Sequence, residues 1–140
     1  EAARELLREH RRNLSEGLGW VEREGVTVED ELQWFHAEDR IRETIVGIVA
    51  GMALGAEETA SDRPIVGFGN KNDEEVKVSA RATPALVDDG VDLSVVMREA
   101  SQAVGGDGGG HTVAAGATVP KGEERAFLDA ANDELAAQRD

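Results

Sequence analysis

The sequence predicts an α+β (mixed α/β) fold: about five strands in a mixed sheet, flanked by about four helices around one core. Three observations predict it. Segments of helical spacing, such as Leu93, Val96, Met97, Ala100 and Val104, alternate irregularly with segments of period two, such as Val76, Val78 and Ala80. The chain has 140 residues, 40% of them apolar, which suffices for a single core. It has no cysteine, so that core must hold without disulfides or thiolate metal sites.

Residues 1 to about 16 read as a helix that Gly17 stops. Its apolar stripe is thin, with Leu6 or Leu7 and Leu14 only. It begins abruptly, without a cap, so residues 1–17 are expected to be a connector from a preceding domain and residues 18–140 the domain proper. His10 reads as a solvated helix residue. Val21 is expected to start an extended piece, and Val26 to His36 to form two strands around the acidic turn Glu29-Asp30-Glu31. His36 reads as a satisfied residue at a strand end.

Asp39 is a reasonable N-cap for a helix from Arg40 to Leu54, with Ile41, Ile45, Ile48, Val49 and Met52 as its buried face. Gly47 and Gly51 lie four apart on that helix, where each costs up to ~1 kcal/mol relative to alanine, so close packing is expected there. Gly55 ends the helix, and an acidic loop runs from Ala56 to Asp62. Pro64–Phe68 and Glu75–Ala82 form a hairpin through the turn-favouring Asn70-Lys71-Asn72-Asp73. Period two puts Lys77, Ser79 and Arg81 on one face of the second strand, as a phosphate grip or as an ordinary solvent-facing row.

Pro84 to Gly90 reads as a loop, with or without a short turn. Asp92 caps a helix from Leu93 to Val104, and Gly105 suits its C′ position. Five glycines fill six positions from Gly105 to Gly110, followed by His111. That run is either an anion-binding nest of backbone N–H groups or a flexible surface loop. A strand from Thr112 to Val119 follows, then a helix from Gly122 to Gln138 around Phe127, Leu128, Ala131 and Leu135.

The formal net charge is −14, with 29 acidic against 15 basic residues, and lysine occurs only at 71, 77 and 121. Such acidity argues against a protein that holds nucleic acid by counterion release. The acids are dispersed, however, and arginine largely replaces lysine, a pattern expected of a protein built for molar intracellular salt. At ~1 M salt the Debye length is about 3 Å, so surface carboxylates hardly repel a distant anion. The segment Ile41–Leu54 is too short and too charged to span a bilayer, and no secretory leader is visible, so a cytoplasmic protein without membrane partners is expected. Walker A, dinucleotide-binding, HExxH and EF-hand patterns are all absent.

Gly108-Gly-Gly-His111-Thr-Val-Ala114-Ala-Gly116, preceded by Val76-Lys-Val-Ser79-Ala-Arg81, resembles the C-terminal DHH-associated domain of DHH phosphoesterases. That group includes RecJ-like single-strand exonucleases, nano-RNases with phosphoadenosine-phosphate phosphatase activity, and cyclic-dinucleotide phosphodiesterases. The glycine-histidine run matches in full, whereas Ala82 stands where many members have serine. The resemblance covers roughly residues 18 to 138 and is strongest to an archaeal RecJ-like nuclease, with roles in DNA repair. It implies that Gly108, Gly109, Gly110, His111, Arg81, Ser79 and Lys77 hold the phosphates of single-stranded DNA, RNA or a short oligonucleotide. His111 would also stabilise developing charge. No cofactor is expected in this stretch. Two divalent ions, manganese or magnesium, would sit in the N-terminal Asp-His-His domain, whose motif this sequence lacks, so the chain alone should be inactive. Replication or repair proteins are further implied partners, and a pure interaction module is the rival reading.

Overall fold

The computed structural model describes residues 2–57 and 59–140; Glu1 and Glu58, which the sequence reading puts in the first helix and the acidic loop, lie outside them. Among the described residues there are five helices and six strands. In chain order they are α1 (Ala2–Glu24), β1 (Thr27–Val28), β2 (Gln33–His36), α2 (Val46–Leu54), β3 (Ile65–Asn70), β4 (Glu75–Arg81), α3 (Pro84–Asp88), α4 (Leu93–Ala103), β5 (Asp107–Gly110), β6 (Ala114–Pro120) and α5 (Glu124–Gln138). The strands form one mixed sheet in the order β1-β2-β3-β4-β6-β5. Only β2 and β3 run parallel, joined by the crossover through α2; the other pairs are antiparallel.

Alternation along the strands divides the molecule into three layers. Val76, Val78 and Ala80 of β4 join Phe68 of β3 and Val119 of β6 in a core shared with α4 and α5. Phe68 meets Trp34 and Phe127 edge-on, each at 6.0 Å between ring centres. Full burial of such a ring contributes roughly 1.5–3 kcal/mol. On the opposite face Phe35 and Ile65 pack against Val46, Val49 and Ala50 of α2 and Val21 of α1.

The α4 reading holds in detail. Asp92 Oδ1 accepts from the Ser94 N–H at 3.0 Å, and Gly105, at φ +81°, follows the last turn as its C′ residue. The β3–β4 hairpin and α5 also fall where the pattern puts them, with α5 beginning at Glu124.

Four expectations are corrected. Helix α1 does not stop at Gly17 but continues to Glu24, so Val21 is helical, and Gly25 at φ +78° ends it. Gly17 is buried where α1 crosses α2; a Cβ there would lie 3.0 Å from Val49 Cγ2. Helix α2 begins at Val46, not Arg40, because residues 43–45 make a separate turn and Asp39 accepts from Asn70 Nδ2 instead of capping. Ile48 and Met52 are exposed, at 44% and 43%, and the buried face of α2 is Val46, Val49, Ala50 and Ala53. Finally, the glycine run is not a loop. Asp107–Gly110 pairs with Ala115–Thr118 as an edge strand, which adds a sixth strand.

Candidate functional site

One polar cluster ties the β1–β2 turn to α5, and another group of polar residues is left free. The tie is Glu29, whose carboxylate accepts two hydrogen bonds from Arg125 at 2.7 and 2.8 Å. It also accepts from Trp34 Nε1 and Asn132 Nδ2, each at 3.0 Å. These bonds, led by that from Arg125, lower the Glu29 pKa to about 2. His36 is satisfied as well. Its Nδ1 accepts from the Glu38 N–H at 3.0 Å, so Nε2 carries the proton donated to Glu124 at 2.8 Å.

The free group lies across the sheet, on the α2 side. Lys77, Ser79 and Arg81 project together from β4, as period two requires, and line one open cleft of ≈ 470 Å³. Helix α2 packs over β3 and β4 only in part of this face. Beyond it the floor is made of Gly116 on β6 and Gly109 and Gly110 on β5. The wall is the start of α2 with the turn before it, through Glu43, Thr44 and Ile48.

Glycines decide how the cations sit. The Arg81 guanidinium lies where a Cβ on Gly47 would be, and its stem runs 3.7 Å from where a Cβ on Gly51 would be. The two helix glycines thus make room for one arginine. Lys77 is placed likewise: its Nζ lies 3.2 Å from where a Cβ on Gly116 would be. Arg81 Nη1 donates to the Ala80 carbonyl at 2.7 Å. No carboxylate among the described residues pairs with Arg81, whereas Arg63, Arg125 and Arg139 all have acidic partners. Burial accordingly pulls the Arg81 pKa below its ordinary value.

The glycine strand works differently from a nest. Successive N–H groups of a strand point in opposite directions, so those of Gly108 to Gly110 do not converge. His111 N–H donates to the Ala114 carbonyl at 2.8 Å. Antiparallel alternation then turns the N–H groups of Gly108 and Gly110 off the sheet edge. Gly108 faces α4, where a Cβ would lie 2.8 Å from the Met97 carbonyl oxygen, while the Gly109 face is open. His111 stands at the exposed β5–β6 turn, beside the cleft but outside its lining. The structure thus gathers Lys77, Ser79, Arg81, Gly109 and Gly110, and sets Gly108 and His111 apart at the edge. Sequence reading missed Glu43 and Thr44, which carry no motif and line the cleft from the turn before α2. Among the described residues no group of three or more His, Asp or Glu side chains is placed to hold a metal ion.

The sequence pattern of the DHHA1 domain matches residues 31–137. The chain belongs to the DHHA1 domain family. An uncharacterized protein of Methanocaldococcus jannaschii is 39% identical over 84 residues, covering 60% of this chain and 18% of that protein. The chain therefore spans less than a fifth of the length of that curated relative. Among solved structures, RecJ from Thermus thermophilus in complex with Mg2+ is similar in fold, with TM-score 0.69 and 20% identity over 95% of this chain and 19% of RecJ. The C-Ala domain of Aquifex aeolicus alanyl-tRNA synthetase has TM-score 0.57 and 14% identity, covering 83% of this chain and 99% of that domain. At these identities the likeness is one of fold. It matches the DHH-associated class that the glycine-histidine run suggests.

Proposed function

We propose that this DHHA1 domain is the substrate-binding part of a RecJ-like, DHH-family phosphoesterase and grips phosphates of single-stranded DNA or RNA. One observation carries the reading. In a chain with 29 acidic and 15 basic residues, the Arg81 guanidinium sits part-buried with no acid beside it among the described residues, in a recess opened by Gly47. A desolvated, unpaired cation is unfavourable, and an anion in the cleft offsets that cost. Arginine takes a phosphate through two parallel N–H groups, and Lys77 adds a point charge four residues away along the same strand. Ser79 between them offers a hydroxyl. Gly109 and Gly110 line the same cleft, and His111 stands at the adjoining turn.

Cleavage in such a protein would belong to two divalent ions, manganese or magnesium, on an Asp-His-His domain; this chain would bind and orient. An intracellular, cytoplasmic setting and contacts with replication or repair proteins go with the same reading. In molar salt counterion release yields little, so affinity would rest on these few directed contacts and fall only slowly with added salt.

A second reading shares the cleft. Its ≈ 470 Å³ volume falls within the range of roughly 300–1,000 Å³ usual for small-molecule sites, which suits a nano-RNA or cyclic dinucleotide. Fluorescence anisotropy of a labelled, 5′-phosphorylated oligonucleotide in molar KCl tests both. Arg81→Ala and Lys77→Ala should each weaken binding about tenfold, or ~1.4 kcal/mol, and His111→Ala less. Equal binding by all variants would leave the cleft structural and favour a protein-interaction module.

A further inference from the structure

We infer that a strand too long for the cleft continues over the turn at residues 39–45 and lays one base against Trp20. The inference rests on the phosphate-binding reading of the cleft and adds a base-contacting subsite to it.

Shared walls define the route. Glu43 and Thr44 border the cleft and also a neighbouring depression of ≈ 380 Å³. Asp39, Ile41 and Arg42 border that depression and a further groove of ≈ 520 Å³ between α1 and the turn. The three recesses therefore adjoin in sequence, from Arg81 to Trp20, across one turn.

The groove is suited to a flat ring. Trp20 is half-buried against the α1–α2 core and lines the groove with its remaining surface. Arg40 lies over the indole, its Cζ 5.7 Å from the ring centre. The Trp34 N–H is bound to Glu29, whereas that of Trp20 has no partner among the described residues. Arg40 and Arg42 are held only loosely, by Glu38 at 3.6 Å and Glu9 at 4.0 Å, and are 60% and 73% exposed. Exposed pairs of this kind rearrange at little cost. Arg23, Arg40 and Arg42 face Glu16 and Asp39 around the groove, so its charges nearly balance. Attraction there comes from stacking between the indole and a guanidinium plane, which is tolerant of base identity and depends less on salt than phosphate contacts do.

The test compares 5′-phosphorylated oligo-dT of about two and about eight nucleotides, the latter within the usual span of single-strand grooves. Binding is read by anisotropy and by tryptophan emission. The longer probe should bind about tenfold more tightly and quench emission; the dinucleotide should bind without quenching. Trp20→Leu and the exposed-site variant Arg40→Glu should remove the length increment and leave dinucleotide affinity unchanged. The increment itself should persist as KCl is raised. Equal affinity for both lengths, or an increment that survives both substitutions, overturns the inference and leaves the cleft standing. Failure of both probes to bind, or a long-probe affinity indifferent to Arg81→Ala, overturns the cleft and the route together.

Discussion

On the α5 side of the sheet, Arg125 closes on Glu29 with two hydrogen bonds, and Trp34 and Asn132 fill the remaining lone pairs. On the α2 side, Arg81 is more deeply set, yet among the described residues it meets no carboxylate and donates only to its own neighbour's carbonyl. The same side chain serves opposite ends. Arg125 uses its donors within the fold and joins the β1–β2 turn to α5, whereas Arg81 keeps most of its donors for something else. A protein with a surplus of acid could have paired Arg81 at almost any point. That it does not among the described residues, and that two helix glycines clear the space around it, is what supports the proposal of an anion site in the cleft.

The contrast can be broken from either side. The largest expected effect is on stability: Glu29→Ala removes charge-assisted bonds on the closed side and should cost about 2–3 kcal/mol. Thermal melting should show a drop of several degrees, with oligonucleotide affinity unchanged. Arg81→Ala should do the reverse, lowering affinity about tenfold while melting stays put or rises slightly, since an unpaired cation has been removed. Gly47→Ala should mimic it more weakly, because its methyl displaces the guanidinium without deleting it.

Acid sharpens the same comparison. The Glu29 pKa is depressed from 4.5 to about 2 in the folded chain. Its contribution is therefore fully present above about pH 4.5 and is lost as pH falls towards 2. Glu29→Gln should flatten stability across that window, as denaturant unfolding at several pH values would show. The smallest effect is expected from Gly116→Ala, whose methyl would press on Lys77 Nζ and the Val78 carbonyl. A few-fold loss of affinity at unchanged stability is the predicted result.

The cleft was legible in the sequence to the extent that strand periodicity reaches. Lys77, Ser79 and Arg81 had to share a face once β4 was a strand, and the glycine-histidine run pointed to the correct family. What lay beyond reach depended on partners distant in the chain. The glycine run is a strand because β6 pairs with it, a fact no local propensity contains. Gly17 reads as a stop because its cost in a helix is local, while its compensation is the side chain of Val49 on another helix. Ile48 and Met52 fit helical spacing, yet α2 turns Val46, Val49, Ala50 and Ala53 to the core and leaves those two exposed, while Glu43 and Thr44 of the preceding turn line the cleft. Glu29 looks like one more surface acid until α5 brings Arg125 to it.

The most direct test of the central claim is a 15N–1H correlation titration of the 140-residue chain with a 5′-phosphorylated single-stranded oligonucleotide in molar KCl. The amides of Ser79, Gly109, Gly110 and Gly116 should shift with a common dissociation constant. Those of Glu29, Asp129 and Asn132 should stay in place. Shifts confined to the Glu29–Arg125 side, or none at any concentration, would contradict the assignment of the cleft as a phosphate site.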